Sequence, residues 1–455
     1  MNLAILALKD SIFRRKLLQI AIPVSLQNLI NFSVSAADVL MVGQLGEAQL
    51  SAVSISTQFT LLYMVITFGV SSGCGVLAAQ YWGANNKQAV RDVFAFMYRV
   101  MAFVSILFAA IAFFFSRHIL SFMIVDPEVV ALGVEYLSIV SIGYLFFGFA
   151  ASTVGLLRST GTVKIALWTS LISLIICLIL NFGLIFGNLG MPALGVAGAA
   201  ISTSMAWFTF LLIMMFYLFK FDNNIAFRFK ALFKKNAEIK NLFISHSTPV
   251  LINEIGWAVA NFILAIIIGR MGREVVAANS IAHLLLQFTG IIIFGISAAA
   301  ATIIGNTIGA GRKDLAQKYA MGMLLISFIV GIGAFVVIQL IRVPLVNFYE
   351  ISEQAKGYAL GITHIASFIA IFKSVAMVSL MGTLRGGGDT KYVLLMDIVF
   401  MWVIAIPLGA FFGLYLQLPV HLVYLAIRCE DFFKTIAVLW RVPKGRWIKE
   451  LVRRD

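Results

Sequence analysis

Residues 155–164 read GLLRSTGTVK and residues 382–391 read GTLRGGGDTK, so Arg158 and Arg385 stand in one short basic phrase 227 positions apart. Outward from this pair the echo continues. AIPVSLQNLI (21–30) lies over STPVLINEIG (247–256), and VGQLGEAQLSAVSI (42–55) over IGRMGREVVAANSI (268–281). FGVSS (68–72) lies over FGISA (294–298) and WGANNKQ (82–88) over IGAGRKD (308–314), all at an offset of 226. One inserted residue accounts for the difference at the opening pair. The chain is written twice.

Composition sets the solvent. With 61% hydrophobic and 12% charged residues and a mean hydropathy of +0.99, the chain is far more apolar than a soluble domain, which carries about 25% charged residues. Apolar runs of roughly 20 residues, the length that crosses a ~30 Å hydrocarbon core, recur along it. Twelve spans are expected: 17–42, 50–80, 92–116, 131–152, 164–186, 193–218, 243–269, 275–303, 318–342, 357–380, 391–414 and 417–439. They are apolar all round rather than alternating, which suits helices and not a porin-type barrel. The first follows Arg14, Arg15 and Lys16 as a signal peptide would, yet it is long, lacks a small-x-small cleavage site and contains Asp38, so it reads as a retained helix.

Twelve helices in two copies give an all-α membrane protein of two pseudo-symmetric six-helix bundles. Six being even, both copies start on the same side, and their pseudo-twofold axis is expected along the membrane normal. The expected organisation is an N-terminal lobe 1–218, a basic linker 219–241, a C-terminal lobe 242–440 and a basic tail 441–455. Most of the 34 Lys and Arg fall in the N-terminus, alternate loops, linker and tail, while Arg117, Arg270, Arg273, Arg342 and Lys356 hold the opposite face. By the positive-inside rule both termini are cytoplasmic, in a plasma (inner) membrane. The net charge of +14 is thus topological. It is scattered over many loops, unlike a nucleic-acid stripe, and anionic lipid is its expected neighbour.

The duplicated phrase has a second reading, a phosphate cradle, because RGGGDTK is glycine-rich. The P-loop pattern GxxxxGK[ST] after a strand is missing, and the first copy lacks most of the glycines. A tight cytoplasmic turn with basic anchors suffices. The three cysteines, Cys74, Cys177 and Cys429, lie in apolar segments without paired spacing, so neither disulfides nor a metal site is expected. The five histidines never pair at HExxH spacing, and no enzyme activity or cofactor is expected.

A carboxylate within the bilayer costs ~2.5–3.5 kcal/mol on insertion scales and needs a reason. Asp38 in the first helix, Glu254 in the seventh and Asp397 in the eleventh lie well inside the spans; Glu430 and Asp431 are read as nearer an end. Glu254 aligns with Asn28, and Asp38 with Leu264, so the acids are not equivalent between copies. Each either handles a cation, as a Na⁺ ligand or proton carrier, or ties helices together. Lys373 is a candidate partner for an acid, with snorkelling the alternative. Asn181, Ser202 and Thr203 offer oxygen to a cation, or interhelical hydrogen bonds. Pro23 and Pro249 each free a carbonyl in their helices, at an expected kink.

The LRSTG and LRGGGDT turns, the GxLG segment after the first helix, and above all TPVLINEIGWAVANFILAIIIGRMGREVVAANSI (248–281) resemble the multidrug and toxic compound extrusion (MATE) family, of the bacterial NorM-like or DinF-like type. The resemblance covers nearly the whole chain. It implies two six-helix lobes in a V around a cavity, and export of small organic, often cationic compounds (drugs, dyes, toxic cations) by a monomer, against Na⁺ or proton entry. It implies a coupling role for Glu254, in the phrase that also holds Asn253 and Trp257, and for Asp38. The latter works in relatives with fifth-helix and sixth-helix groups that correspond by position to Asn181, Thr203 and Ala199, a Na⁺ site if one exists. Two departures stand out. Cys177 replaces a fifth-helix Asn, and Ser374 stands where NorM-like members carry an aspartate. The alternatives to a cation-coupled exporter are a flippase for lipid-linked saccharides or precursors, which an apparent scarcity of Arg in the helix centres disfavours, and, more weakly, a membrane-embedded enzyme.

Overall fold

The computed structural model describes residues 2–222, 225–227, 231–232 and 236–452. The expected linker 219–241 and the end of the expected tail therefore lie partly outside the described residues. Fourteen helices carry the described chain, beginning with α1 (Asn2–Lys9), α2 (Ser11–Gly43), α3 (Glu47–Gly83), α4 (Lys87–Phe114) and α5 (Ser116–Met123). Next come α6 (Pro127–Ser159), α7 (Lys164–Phe186), α8 (Val196–Lys220) and α9 (Ala237–Gly269). The last five are α10 (Arg273–Gly309), α11 (Lys313–Phe348), α12 (Glu353–Leu384), α13 (Thr390–Tyr415) and α14 (Val420–Arg441).

Eleven of these are long and apolar enough to span a bilayer. The twelfth expected span is α14, helical over 22 residues, with Arg428, Glu430, Asp431 and Lys434 in its middle. Both acids are buried there, not near an end. The short helices α1 and α5 were not visible as apolar runs. Helices α3 and α10, 37 residues each, extend about 55 Å at 1.5 Å per residue, well beyond a hydrocarbon core.

The duplication reaches individual hydrogen bonds. In the first copy of the opening phrase Gly161 N donates to Arg158 O at 2.9 Å and Thr162 N to Leu157 O at 2.9 Å. In the second, Gly388 N donates to Arg385 O at 3.0 Å and Asp389 N to Leu384 O at 2.9 Å. Gly161 and Gly388 have φ of +85° and +81°, the left-handed backbone that ends a helix with this pattern and that a glycine adopts without a Cβ penalty. The turns after α3 and α10 match likewise, Asn85 N to Trp82 O and Gly311 N to Ile308 O.

The chain divides into two compact units. One comprises Met1–Ser25, Ala79–Asn85 and Thr248–Asp455, the other Leu26–Ala78 and Asn86–Ser247; we call them the C-terminal and N-terminal units. In the N-terminal unit α6 packs on α4 and α8, and α7 on α8. Its core joins Val53, Tyr63, Leu137, Tyr144 and Ile185. Because lipid is as apolar as leucine, cohesion here comes from close packing and polar ties. Tyr63 Oη meets Tyr144 O at 2.6 Å and Ser105 Oγ at 2.8 Å, beside Gly148, where a Cβ would lie 2.3 Å from both hydroxyls.

In the C-terminal unit α12 packs on α10, α11 and α14, around Leu264, Ile281, Ile338, Met401 and Ile427. The end of α3 belongs here and crosses the end of α10 backbone to backbone. A Cβ on Gly83 would fall 2.0 Å from Asn306 O, and one on Gly309 would fall 1.9 Å from Gln80 O. Gln80 and Asn306 are themselves at the repeat offset, so this contact is reciprocal.

Candidate functional site

Two polar constellations stand inside the helices, one in each unit. In the N-terminal unit the part-buried Asp38 of α2 accepts from Asn181 Nδ2 of α7 at 2.5 Å and from Cys177 Sγ at 3.7 Å. Cys177 and Asn181 are one turn apart on α7, so both face the same carboxylate. Asn181 is wholly buried, and its Oδ1 has no hydrogen-bond partner among the described residues. The Tyr136 phenol of α6 interacts with both Asp38 and Thr203 of α8. Ala199, one turn before Thr203, is buried against the same core as Tyr136. The structure thus brings Asp38 to Asn181 and, through Tyr136, to Thr203, with Ala199 one turn before Thr203 on α8. Ser202 is not part of this group; its hydroxyl bonds to Gly198 O of its own helix at 2.8 Å.

In the C-terminal unit Glu254 of α9 accepts from Arg385 Nη1 at 2.7 Å, with side chains only 6% and 2% exposed. Arg385 was expected as a solvent-side anchor of the turn. It is instead buried, directly after a π-helical stretch, Val378–Leu384, and before the turn at Gly387 and Gly388. Asp397 of α13 pairs with Lys434 Nζ of α14 at 2.7 Å, and Lys434 also takes Glu430 at 2.8 Å. Asp397 lies within electrostatic reach of Glu254, so the two pairs adjoin. Lys373 lies within α12 and Arg428 and Lys434 within α14, while Arg385 stands just past the end of α12.

The remaining candidates have plainer places. Ser374 Oγ donates to Ser327 O at 2.7 Å, tying α12 to α11. Asn253 is buried beside Glu254 in sequence, with its Oδ1 lacking a hydrogen-bond partner among the described residues. Asn28 Nδ2 is in the same condition in the N-terminal unit. Trp257 is 48% exposed. Pro23 lies within the continuous helix α2, near Gly295, whose Cβ would meet Ser25 Oγ at 2.1 Å. Pro249 stands two residues after the end of a π-helical turn, Phe243–Ser247, in α9, a local widening that accommodates the missing donor. Lys373 forms no ion pair with Glu254 or Asp397; its charged neighbours are Arg428, Asp431 and Glu430.

Tyr136, Arg428 and Lys434 escaped the sequence reading. The Glu430–Lys434 spacing of four, a standard helical ion pair, was a usable signal for one of them. Nothing in the sequence marks Tyr136, which needs three helices in place.

The MatE family model matches residues 23–183 and again 249–411, once per repeat and starting at the two prolines. The chain belongs to the MatE family. A probable multidrug resistance protein NorM from Thermotoga maritima is 23% identical over 96% of this chain and 94% of its own length. Another NorM, from Bacillus cereus, is 25% identical over 89% and 90%, and the uncharacterised transporter YisQ of Bacillus subtilis is 23% identical over 94% of each. Among solved structures, a MOP superfamily transporter from Pyrococcus furiosus superposes with a TM-score of 0.86 at 19% identity, covering 95% of this chain and 96% of that one. An outward-facing multidrug resistance MATE transporter of the MOP superfamily gives 0.85 at 20% identity over the same shares. At that identity the likeness carries the fold; membership of a MatE transporter family rests on the sequence match.

Proposed function

We propose that this MatE transporter is a secondary active exporter, moving small organic amphipathic compounds, cationic ones among them, against inward flow of Na⁺ or protons by alternating access. The observation that carries the reading is the Asp38–Asn181–Cys177 cluster, an intramembrane carboxylate whose neighbours are neutral. Such a group must acquire a cation or a proton to become neutral.

Asp38 is better placed than Glu254 for this role. Glu254 already has Arg385 at 2.7 Å, so a coupling cation there competes with a buried guanidinium. Among the described residues, no cationic group pairs with Asp38. As it stands, the Asn181 amide donates to the carboxylate and stabilises its charge. Turned about, its Oδ1 joins the Asp38 oxygens, Thr203 Oγ1 and the Ala199 carbonyl as a hard oxygen set suited to Na⁺, or accepts from a protonated Asp38. Cys177 contributes a thiol where an oxygen would strengthen a Na⁺ site, which favours the proton. Loading the cation favours one state and releasing it the other, provided the substrate binds the two unequally.

The test is efflux of a fluorescent cationic dye from proteoliposomes under a separate Na⁺ or pH gradient, with wild type beside Asp38→Asn and Glu254→Gln. One gradient drives efflux, Asp38→Asn abolishes it and Glu254→Gln retains part of it. Efflux of no dye in a broad panel under either gradient overturns the reading.

A further inference from the structure

Lys434 Nζ of α14 stands 2.7 Å from Asp397 Oδ1 of α13 and 2.8 Å from Glu430 Oε2, one turn back on its own helix, and the lysine, aspartate and glutamate side chains are 7%, 16% and 5% exposed. Two carboxylates that water scarcely reaches need a positive charge between them. Here that charge belongs to the chain. Among the described residues no other base comes within 4.0 Å of either carboxylate. In the N-terminal unit the same need at Asp38 is met by an amide and a thiol, neither of them charged.

The packing on either side of Lys434 holds it there. Phe433, the residue before, stacks on Phe400 of α13 with ring centroids 6.0 Å apart and planes inclined by 9°. Thr435, the residue after, donates to Phe372 O of α12 at 2.9 Å, and Phe432 meets the Phe372 ring edge-on at 5.2 Å. These contacts fix the rotation of α14 that turns the lysine stem toward Asp397. Asp431 lies among Lys434, Lys373 and Arg428, and Glu254 has Arg385, so each of these four acids has a base of the chain's own. An ammonium tethered to its helix competes as an intramolecular partner against any ion from solution, and displacing it strands a buried charge.

We propose that Lys434 is the resident cation of the Asp397–Glu430 pair: its ammonium occupies the place where a driving Na⁺ or proton would neutralise those carboxylates, so the pair takes up no ion and transport runs on the single exchangeable cation at Asp38. The count of one cation per cycle rests on the transport reading above; the filled pair does not.

The experiment is infrared difference spectroscopy of the purified full chain in lipid, following the carboxyl and carboxylate bands. Perfusion alternates between about pH 8 and about pH 6, above the range where exposed carboxyls titrate, and then between Na⁺ and N-methylglucamine at fixed pH. In wild type a responding band is lost in Asp38→Asn, and none is lost in Asp397→Asn or Glu430→Gln. Lys434→Met gains a responding band that disappears when Asp397→Asn and Glu430→Gln are added, and Lys434→Arg gains none. A band lost in either single acid variant, or a Lys434→Met spectrum identical to wild type, overturns the resident cation. Should Lys434→Met fail to fold, the single acid variants decide alone. The count is read separately in proteoliposomes with the membrane potential clamped at zero. A tenfold gradient of the driving cation concentrates the dye about tenfold in wild type, the mark of one cation per dye, and about a hundredfold marks two and overturns the count. Asp38→Asn without loss of any band removes the Asp38 reading and leaves the filled pair standing; a band assigned to Asp397 or Glu430 does the reverse.

Discussion

At 2.7 Å from the Arg385 guanidinium, the Glu254 carboxylate is one half of a buried pair, and a buried pair behaves unlike the sum of its parts. Removing one partner strands a charge in an apolar span, at a cost of about 3–5 kcal/mol, whereas removing both is often nearly neutral. Arg385→Met is therefore expected to lower stability in detergent sharply, and Glu254→Gln with Arg385→Met to recover most of the loss. Unfolding of the four members of the cycle reads the coupling directly. A double variant as unstable as Arg385→Met alone sinks the pairing. Arg385 was legible as a repeated residue but not as a buried one. The phrase around it has the glycines of a turn, and nothing in it tells that the partner acid, Glu254, lies on another helix 131 positions upstream.

Helix ends, rather than helix middles, hold the C-terminal unit together at one end of its bundle. After α14 the chain turns back, and Trp447 is wholly buried, donating Nε1 to Val442 O at 2.9 Å and to Gln317 Oε1 at 3.2 Å. Its ring occupies the space a side chain would need at Gly387, where a Cβ would fall 2.3 Å away. Lys449 N then donates to Gly387 O at 2.9 Å, Gln80 of α3 clasps Lys449 O and Leu451 N, and Lys449 pairs with Asp389 at 2.5 Å. The repeated turn, the end of α3 and the tail thus form one knot. Trp447→Ala, which opens a cavity worth about 3–5 kcal/mol, is expected to free residues 443–452 to trypsin at Lys444, Arg446 and Lys449 and to lower the unfolding temperature. Cleavage no faster than in wild type would show that the hydrogen bonds alone hold the strap. The basic composition of 441–455 suggested a tail and no more, because the glycine that admits Trp447 lies 60 positions upstream.

On the scale of the whole chain, the offset of 226 was the most informative quantity in the sequence. It recurs in the paired ends Gly43 and Gly269, Gly83 and Gly309, and in the starts Lys87 and Lys313. The twelve spans and the two-copy plan were legible because a bilayer imposes length and apolarity on every segment alike. What was not legible is pairing across helices. Lys434 with Asp397, or Tyr136 with Asp38, depends on rotation and depth that no apolar run encodes. The charge pattern also makes an expectation about orientation that the fold leaves open. If the basic loops, linker and tail are cytoplasmic, a cysteine replacing the exposed Arg446 reacts with a membrane-impermeant maleimide only in inside-out vesicles, and one replacing the exposed Arg117 on α5 reacts only in right-side-out vesicles. The native Cys74 and Cys177 are buried and Cys429 is part-exposed, so a Cys429→Ala background keeps the signal clean. Reversal of both patterns would place the termini outside. An entering cation would then meet the face carrying most of the chain's positive charge, against the repulsion of those loops.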